Sequence, residues 1–330
     1  MNNGQDILVA GIDIGSTYTK AILLDESSTV RATAVTRSGF KPATAASTVF
    51  RMLAENAGVE TGAITYIATT GYGRYMVPFR HTQITELTCH ALATNYHMPT
   101  VRTILDIGGQ DIKAIRIDAR GRVRAFRLND KCAAGTGAFL EKTARYLGLT
   151  TADIAVYAER SQHPTAISSV CAVFAESEVI NHLASGIASE DIMKGAITAL
   201  GGRAVQLMKK TGLEPDYALV GGMTQNAAMV AALEAKLGAP LLLPPQGLGQ
   251  LNGAFGAALL GLRRVRRLLA DGRSVLPSAS ATSNPSRRWS TYVPAGATGE
   301  SGSSEGLVAA LAALTRKRGN SRSPADATLA

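Results

Sequence analysis

Between residues 7 and 262 the apolar positions alternate between short runs of strand period and longer stretches of helical period. Ile7–Ile14 reads as an apolar strand ending in glycine, and Lys20–Leu24 and Val30–Thr36 continue it as a meander. Ala43–Ala57 has helical spacing and stops near Gly58, Ile64–Thr69 is a short buried strand, and Ile84–Leu92 is helical again. The order then restarts. Thr103–Ile107 is a second strand ending in glycine, and Lys113–Ile117 and Val123–Arg127 form a second meander. Helices are predicted over Ala133–Leu147, Ala172–Ala184 and Asp191–Lys210, the first two each beginning just after a cysteine. Ala218–Val220 is a strand running into Gly221-Gly222, Asn226–Leu237 a helix ended by Gly238, Leu241–Leu243 a last strand and Leu251–Leu262 a last helix.

The restart is a weak internal repeat. Gly11-Ile-Asp-Ile-Gly-Ser-Thr17 and Leu105-Asp-Ile-Gly-Gly-Gln-Asp111 begin 94 residues apart. Each copy is a strand, an Asp-Ile-Gly turn and a return strand. One copy alone could arise by chance, whereas two in matching contexts are what a duplicated α/β unit produces. The expected organisation is therefore α/β, with one unit over residues 1–99, a second over 100–262 and a tail over 263–330.

Charge separates the tail from the body. The chain has a net charge of +9, but residues 262–330 hold eleven Lys/Arg against four Asp/Glu, or +7, which leaves +2 for the rest. The body is nearly balanced, so no dedicated nucleic-acid binding is expected. After about residue 274, Ser, Pro, Gly, Ala and Thr dominate without apolar period. That is the pattern of a largely disordered segment, with room for one short helix at Gly306–Lys317. With 46% hydrophobic and 18% charged residues the chain is otherwise globular. No apolar run approaches the roughly 20 residues of a membrane-spanning helix. Met1–Asp6 lacks a secretory pattern, so a cytoplasmic protein without membrane attachment is expected. Three scattered cysteines, Cys89, Cys132 and Cys171, without a CxxC, argue against a disulfide framework and against an ordinary one-chain zinc site.

A strand ending in Asp-x-Gly-Ser-Thr gathers backbone N–H groups and hydroxyls at a tight turn, where Gly15 admits an oxygen-rich ligand. Asp13 at the strand end is suited to hold Mg2+ through water. Lys20 is either a phosphate neutraliser or a strand lysine facing solvent. Asp106, Gly108, Gly109 and Gln110 form the second turn, expected to face the first across a cleft. Gly221-Gly222 would let a nucleoside lie against backbone. No G-x-x-x-x-G-K-S/T is present, and Gly71-Tyr-Gly73 and Gly135-Thr-Gly137 lack the third glycine of a dinucleotide fingerprint. Three glycine turns in this order favour ATP.

The arrangement resembles the actin, sugar-kinase and heat-shock ATPase superfamily. Within it, the chain resembles the ATPase family of benzoyl-CoA reductase subunits and 2-hydroxyacyl-CoA dehydratase activators. Gly11–Lys20, Thr70-Gly-Tyr-Gly-Arg-Tyr75, Thr85-Glu-Leu-Thr-Cys-His90 and Asp106–Lys113 carry the resemblance. Its most specific segments are Asn129-Asp-Lys-Cys-Ala-Ala-Gly-Thr-Gly137 and Cys171-Ala-Val-Phe-Ala-Glu-Ser-Glu-Val179. Together they cover about residues 7–262. The chain departs from the family pattern at Met223-Thr-Gln225, where Val-Ala-Lys or Val-Ala-Arg is usual, and at Ala138, where Arg is common.

The resemblance implies a duplicated actin-like (ribonuclease H-like) fold around a cleft for ATP and Mg2+. It implies catalytic roles for Asp13, Asp106 and Gln110 and phosphate contacts from Gly15, Ser16, Thr17, Lys20, Gly108 and Gly109, with Gly221 and Gly222 at the nucleoside. It also implies one 4Fe-4S cluster shared between the two chains of a homodimer, or of a heterodimer with a related ATPase chain. Cys132 and Cys171 would be the two ligands from this chain. Predicted helix starts beside both would favour their thiolates. Cys89 is expected in the core, His90, His163 and His182 as structural or surface residues, and Glu176 and Glu178 as helix-face charges.

The implied activity is ATP-driven transfer of one electron from a ferredoxin or flavodoxin-type donor to a CoA-ester reductase or dehydratase. The segment His81–Glu86 looks more like the reductase subunits. An ATPase subunit of benzoyl-CoA reductase is therefore the leading expectation, and a dehydratase activator the alternative. Two other classes compete: a metal-free sugar or acetate kinase, for which no acceptor base is visible, and a non-enzymatic ATP-binding scaffold.

Overall fold

The computed structural model describes residues 7–129, 136–168, 172–245 and 247–275. All of them fall in one compact unit, Met1–Ser283. The chain begins with β1 (Val9–Ile14), β2 (Tyr18–Leu24), β3 (Val30–Arg37), α1 (Pro42–Ala57), β4 (Tyr66–Thr70), β5 (Thr82–Gln83) and α2 (Glu86–His97). It continues with β6 (Thr103–Ile107), β7 (Ile112–Ile117), β8 (Val123–Asn129), α3 (Gly137–Tyr146), α4 (Asp153–Arg160), α5 (Ala172–Ala184) and α6 (Ser189–Thr211). It closes with β9 (Tyr217–Gly221), α7 (Ala227–Leu237), β10 (Leu241–Leu242) and α8 (Asn252–Ala270).

Two five-stranded sheets share one strand order, β3-β2-β1-β4-β5 and, in the same sense, β8-β7-β6-β9-β10. In each, the leading strand pairs antiparallel with its return strand and parallel with the strand beyond the crossover. The registers set Asp13 opposite Lys20 and Asp106 opposite Lys113. The duplication read from the two Asp-Ile-Gly segments is therefore present in the topology and in single residue pairs.

The leading strands are buried along their whole length, which is why they read as unbroken apolar runs. Helix α1 opens on Pro42 and ends at Gly58 in the left-handed conformation (φ 67°), a proline start and a glycine stop. It sets Val49 and Leu53 against Ile12, Ile14 and Leu23. The long helix α6 sets Ile192, Ile197 and Leu200 against Leu105 and Ile107 of the second sheet. Each such side chain contributes roughly 1.5–3 kcal/mol on full burial. Helices α2 and α8 lie between the sheets. Leu92 of α2 joins Phe255 of α8 and Ile22 of β2, while Ala91 joins Ile104 and Ile115 of the second sheet. Their approach needs glycine: a Cβ at Gly256 would collide with the Cys89 carbonyl oxygen, and one at Gly11 with that of Ala254.

Two helix bounds differ from the expectation. Helix α8 runs to Ala270, past the expected end at Leu262. Val265 is buried with Val9, Tyr66 and Leu262, while Arg263, Arg264, Arg266 and Arg267 around it stay exposed. The arginine pairs hid a continuing helical stripe. Because α8 packs on β1, β2 and β4, residues 252–270 belong with the first sheet. The helix thus crosses the expected boundary at 262/263. Helix α3 starts at Gly137 and not at Ala133, since Thr136 before it is extended (φ −135°, ψ 167°). The expected placement of Cys132 at a helix start falls outside the described residues. Helix α5 does begin at Ala172, directly after Cys171. Cys132, Cys171 and the tail from 276, with its expected helix at Gly306–Lys317, lie outside the described residues. Among the described residues no helix is long and apolar enough to cross a membrane.

Candidate functional site

The first turn is closed by Gly15 N–H donating to the Tyr18 carbonyl at 3.2 Å, and the second by Gly108 N–H donating to the Asp111 carbonyl at 2.9 Å. Ser38 braces the first turn, its hydroxyl donating to the Gly15 carbonyl at 2.6 Å. The two turns meet. A Cβ at Gly109 would collide with the Thr17 hydroxyl oxygen. Behind them, Gly71 and Gly221 adopt φ values of 85° and 90°, which glycine alone takes at low cost. A side chain at Gly71 would collide with Asp13 Oδ1, and one at Gly221 would stand 2.6 Å from Asp106 Oδ1. A cavity of about 830 Å3 lies between the turns. Asp13, Gly15, Ser16, Thr17, Lys20, Asp106, Gly108, Gly109, Gln110, Gly221 and Gly222 all line it. The volume suits a nucleotide-sized ligand.

Both carboxylates are buried and paired. Lys20 Nζ lies 3.1 Å from Asp13 Oδ2, with 17% of the lysine side chain exposed. Lys20 is thus turned into the cleft and not to open solvent. Lys113 is only 4% exposed and reaches Asp111 at 2.6 Å, Asp106 at 3.3 Å and Glu86 at 3.9 Å. Burial pushes the Asp106 carboxyl up, but His90, Lys113 and Lys20 outweigh it and hold the group below the usual carboxylate range. Burial lowers Lys113, yet Asp106, Glu86 and Asp111 outweigh it and raise the ammonium above its ordinary value. Glu86 is raised, chiefly by burial. The duplicated pairs are therefore unequal. Lys113 is saturated by three carboxylates, whereas Lys20 has one and is free to turn to a ligand.

Carboxylates with room for water are the donors a magnesium ion takes, and the glycine turns leave backbone beside the cavity that any side chain would fill. The residues present fit a nucleotide carrying a divalent cation. The second turn is also tied to a helix: Gly137 N–H donates to the Gly108 carbonyl at 3.0 Å and Ala138 N–H to the Gly109 carbonyl at 2.8 Å. Lys142 of α3 then pairs with Glu176 of α5 at 2.7 Å.

A family profile described as the BadF/BadG/BcrA/BcrD ATPase family matches residues 10–261. The chain belongs to this family. It is 41% identical over 252 residues to the activator of lactoyl-CoA dehydratase of Anaerotignum propionicum, covering 76% of this chain and 95% of that one. It is 37% identical over 264 residues to the (R)-2-hydroxyglutaryl-CoA dehydratase activating ATPase of Acidaminococcus fermentans, covering 80% and 100%. A benzoyl-CoA reductase subunit of Thauera aromatica is more distant, at 32% over 283 residues, covering 83% and 99%. The solved activator of the 2-hydroxyisocaproyl-CoA dehydratase of Clostridium difficile, with bound ADPNP, superposes with a TM-score of 0.77 at 36% identity, covering 83% and 100%.

The lean towards a reductase subunit is corrected by this order of identities. The segment behind it, His81–Glu86, has structural work: the His81 ring stacks on Tyr66 and its Nδ1 accepts from Ile67 N–H at 3.0 Å, and Thr85 caps α2. His90 lies at the site. Of the two expected readings, structural or surface, it takes the structural one: it is buried, and its Nε2 lies 3.5 Å from Asp106 Oδ2. Lys113, Glu86 and Asp111 were missed as site residues. The spacing signals Lys113, since Asp106 and Lys113 repeat the interval of Asp13 and Lys20. Cys89 is buried in the core as expected, and burial pushes its thiol up to about 12.

Proposed function

We propose that the chain is an ATP-hydrolysing, iron–sulfur electron-transfer component that activates a 2-hydroxyacyl-CoA dehydratase. The observation that carries this reading is the pair of Asp–Lys turns facing one cavity, in a chain whose family relatives at 41% and 37% identity are dehydratase activators. Asp13 and Asp106 would hold Mg2+ and, with Gln110, would orient the attacking water. Gly15, Ser16, Thr17, Gly108 and Gly109 surround the phosphates. Lys20 exchanges part of its contact with Asp13 for phosphate. Gly221 and Gly222 lie along the nucleoside.

Cys132 and Cys171 supply two thiolates, and a second chain, identical or related, completes a set of four. A bound 4Fe-4S cluster would supply a one-electron redox centre between a ferredoxin or flavodoxin-type donor and the dehydratase. The chain's own part is mechanical. Loss of the γ-phosphate relaxes the Gly108-Gly109 turn, α3 follows through its two backbone bonds to that turn, and the Lys142–Glu176 pair passes the shift to α5.

The test mixes the anoxically purified chain, reductant and MgATP with a 2-hydroxyacyl-CoA dehydratase or, separately, with benzoyl-CoA reductase catalytic subunits. Activation of the dehydratase is expected. Activation of the reductase alone would return the assignment to the more distant relative.

A further inference from the structure

We propose that His90 is a positioning residue for Asp106, held by Asn252 so that its Nε2–H donates to that carboxylate. The proposal rests on the role given to Asp106 above. His90 lies on α2 and is 6% exposed, and Asn252 opens α8 and is 1% exposed. Asn252 Nδ2 is 3.1 Å from His90 Nδ1, 3.3 Å from Thr94 Oγ1 and 3.4 Å from the His90 carbonyl oxygen. A carbonyl oxygen only accepts, so the amide nitrogen beside it is a donor, and its two N–H groups serve these three neighbours while Oδ1 has no hydrogen-bond partner among the described residues. An amide N–H directed at Nδ1 makes that ring nitrogen the acceptor and leaves the proton on Nε2.

Nε2 stands 3.5 Å from Asp106 Oδ2, the oxygen that Lys113 also reaches. That distance is long for a hydrogen bond, as is common before a site is filled. A Cβ at Gly253 would be 3.4 Å from His90 Cε1 and 3.0 Å from Asp13 Oδ2, so this glycine of α8 lies against both side chains and the imidazole stands near both carboxylates of the repeat. It serves only one of them. Asp106 faces a histidine and a lysine, while Asp13 pairs with Lys20 alone among the described residues. Here the duplicated halves diverge.

The experiment uses the full-length chain, purified anoxically. Glutamine at position 90 keeps an N–H donor near the place of Nε2, and asparagine keeps one near Nδ1. His90→Gln is expected to hydrolyse ATP close to the wild-type rate. His90→Asn and His90→Ala are expected to lose about tenfold to a hundredfold in kcat, with nucleotide affinity by calorimetry unchanged. Equal rates for the Gln and Asn variants, high or low, would overturn the proposal. Selective 15N labelling of the five histidines gives a readout free of turnover. The His90 resonances are expected to show the Nε2-protonated tautomer in the wild type and to lose it in Asn252→Leu, and an Nδ1-protonated wild type would also overturn it. If the wild type hydrolyses no ATP, the ATPase reading fails, while the 15N signature still decides how Asn252 holds His90.

Discussion

Lys113→Met removes one buried cation from among three carboxylates. Asp111 at 2.6 Å and Asp106 at 3.3 Å lose their partner, and Glu86 at 3.9 Å loses its nearest positive charge. Breaking a buried pair from one side costs about 3–5 kcal/mol, a large share of the roughly 5–15 kcal/mol that holds a typical domain. With urea slopes of about 1–3 kcal/mol per molar, the unfolding midpoint should fall by at least about 1 M. The sign with pH follows. Asp106 is held below its ordinary value of 3.8 in the fold, so its contribution is present above that pH and lost as pH falls through the folded value. Lys113 is raised above 10.5, so its contribution holds at neutral pH and is lost only at strongly alkaline pH. The variant's deficit should therefore be full at pH 7 and shrink near pH 4, where the unpaired carboxylates take up protons on folding. Lys20→Met, which breaks a pair with a single carboxylate and a lysine 17% exposed, should cost less than Lys113→Met. Urea titrations of the nucleotide-free chain at both pH values provide the comparison. A Lys113→Met midpoint within about 0.3 M of wild type at pH 7 would refute the reasoning.

Other consequences are independent of that cluster. Native Cys89 should resist thiol reagents at pH 8 and react only after unfolding, because its thiol is pushed up to about 12; the same shift should make the fold less stable as pH rises past the thiol's ordinary value of 9.0. Cys132→Ser should lose iron on anoxic purification yet bind nucleotide as wild type, measured by iron assay and calorimetry. Phe255→Ala, which empties a fully buried ring site between α2, α8 and the first sheet, should lower stability by about 3–5 kcal/mol in thermal or urea unfolding.

What the sequence revealed follows from where its signals are local. The Asp-Ile-Gly turns, their duplication and the glycine stops at Gly58 and Gly238 are set by neighbouring residues, and they were legible. The short helix α4 was not, because eight residues carry about two turns of period. The end of α8 was misplaced because four arginines surround its last apolar positions, of which Val265 is buried and Leu269 packs against the same cluster. The gathering of Glu86, His90 and Lys113 at Asp106 depends on α2 and α8 closing between the sheets. Asn252 and His90 are 162 residues apart, a tertiary contact without any local signature. Only the equal spacing of the two Asp–Lys pairs pointed to Lys113.

The central claim is that the cleft between the two turns is where ATP is hydrolysed. Its most direct measurement is steady-state MgATP turnover of the anoxic chain beside Asp13→Asn and Asp106→Asn, with nucleotide binding followed by calorimetry. Turnover in the wild type, lowered at least about a hundredfold in both variants while binding persists, is the expected result. Undiminished hydrolysis in the two variants would contradict it.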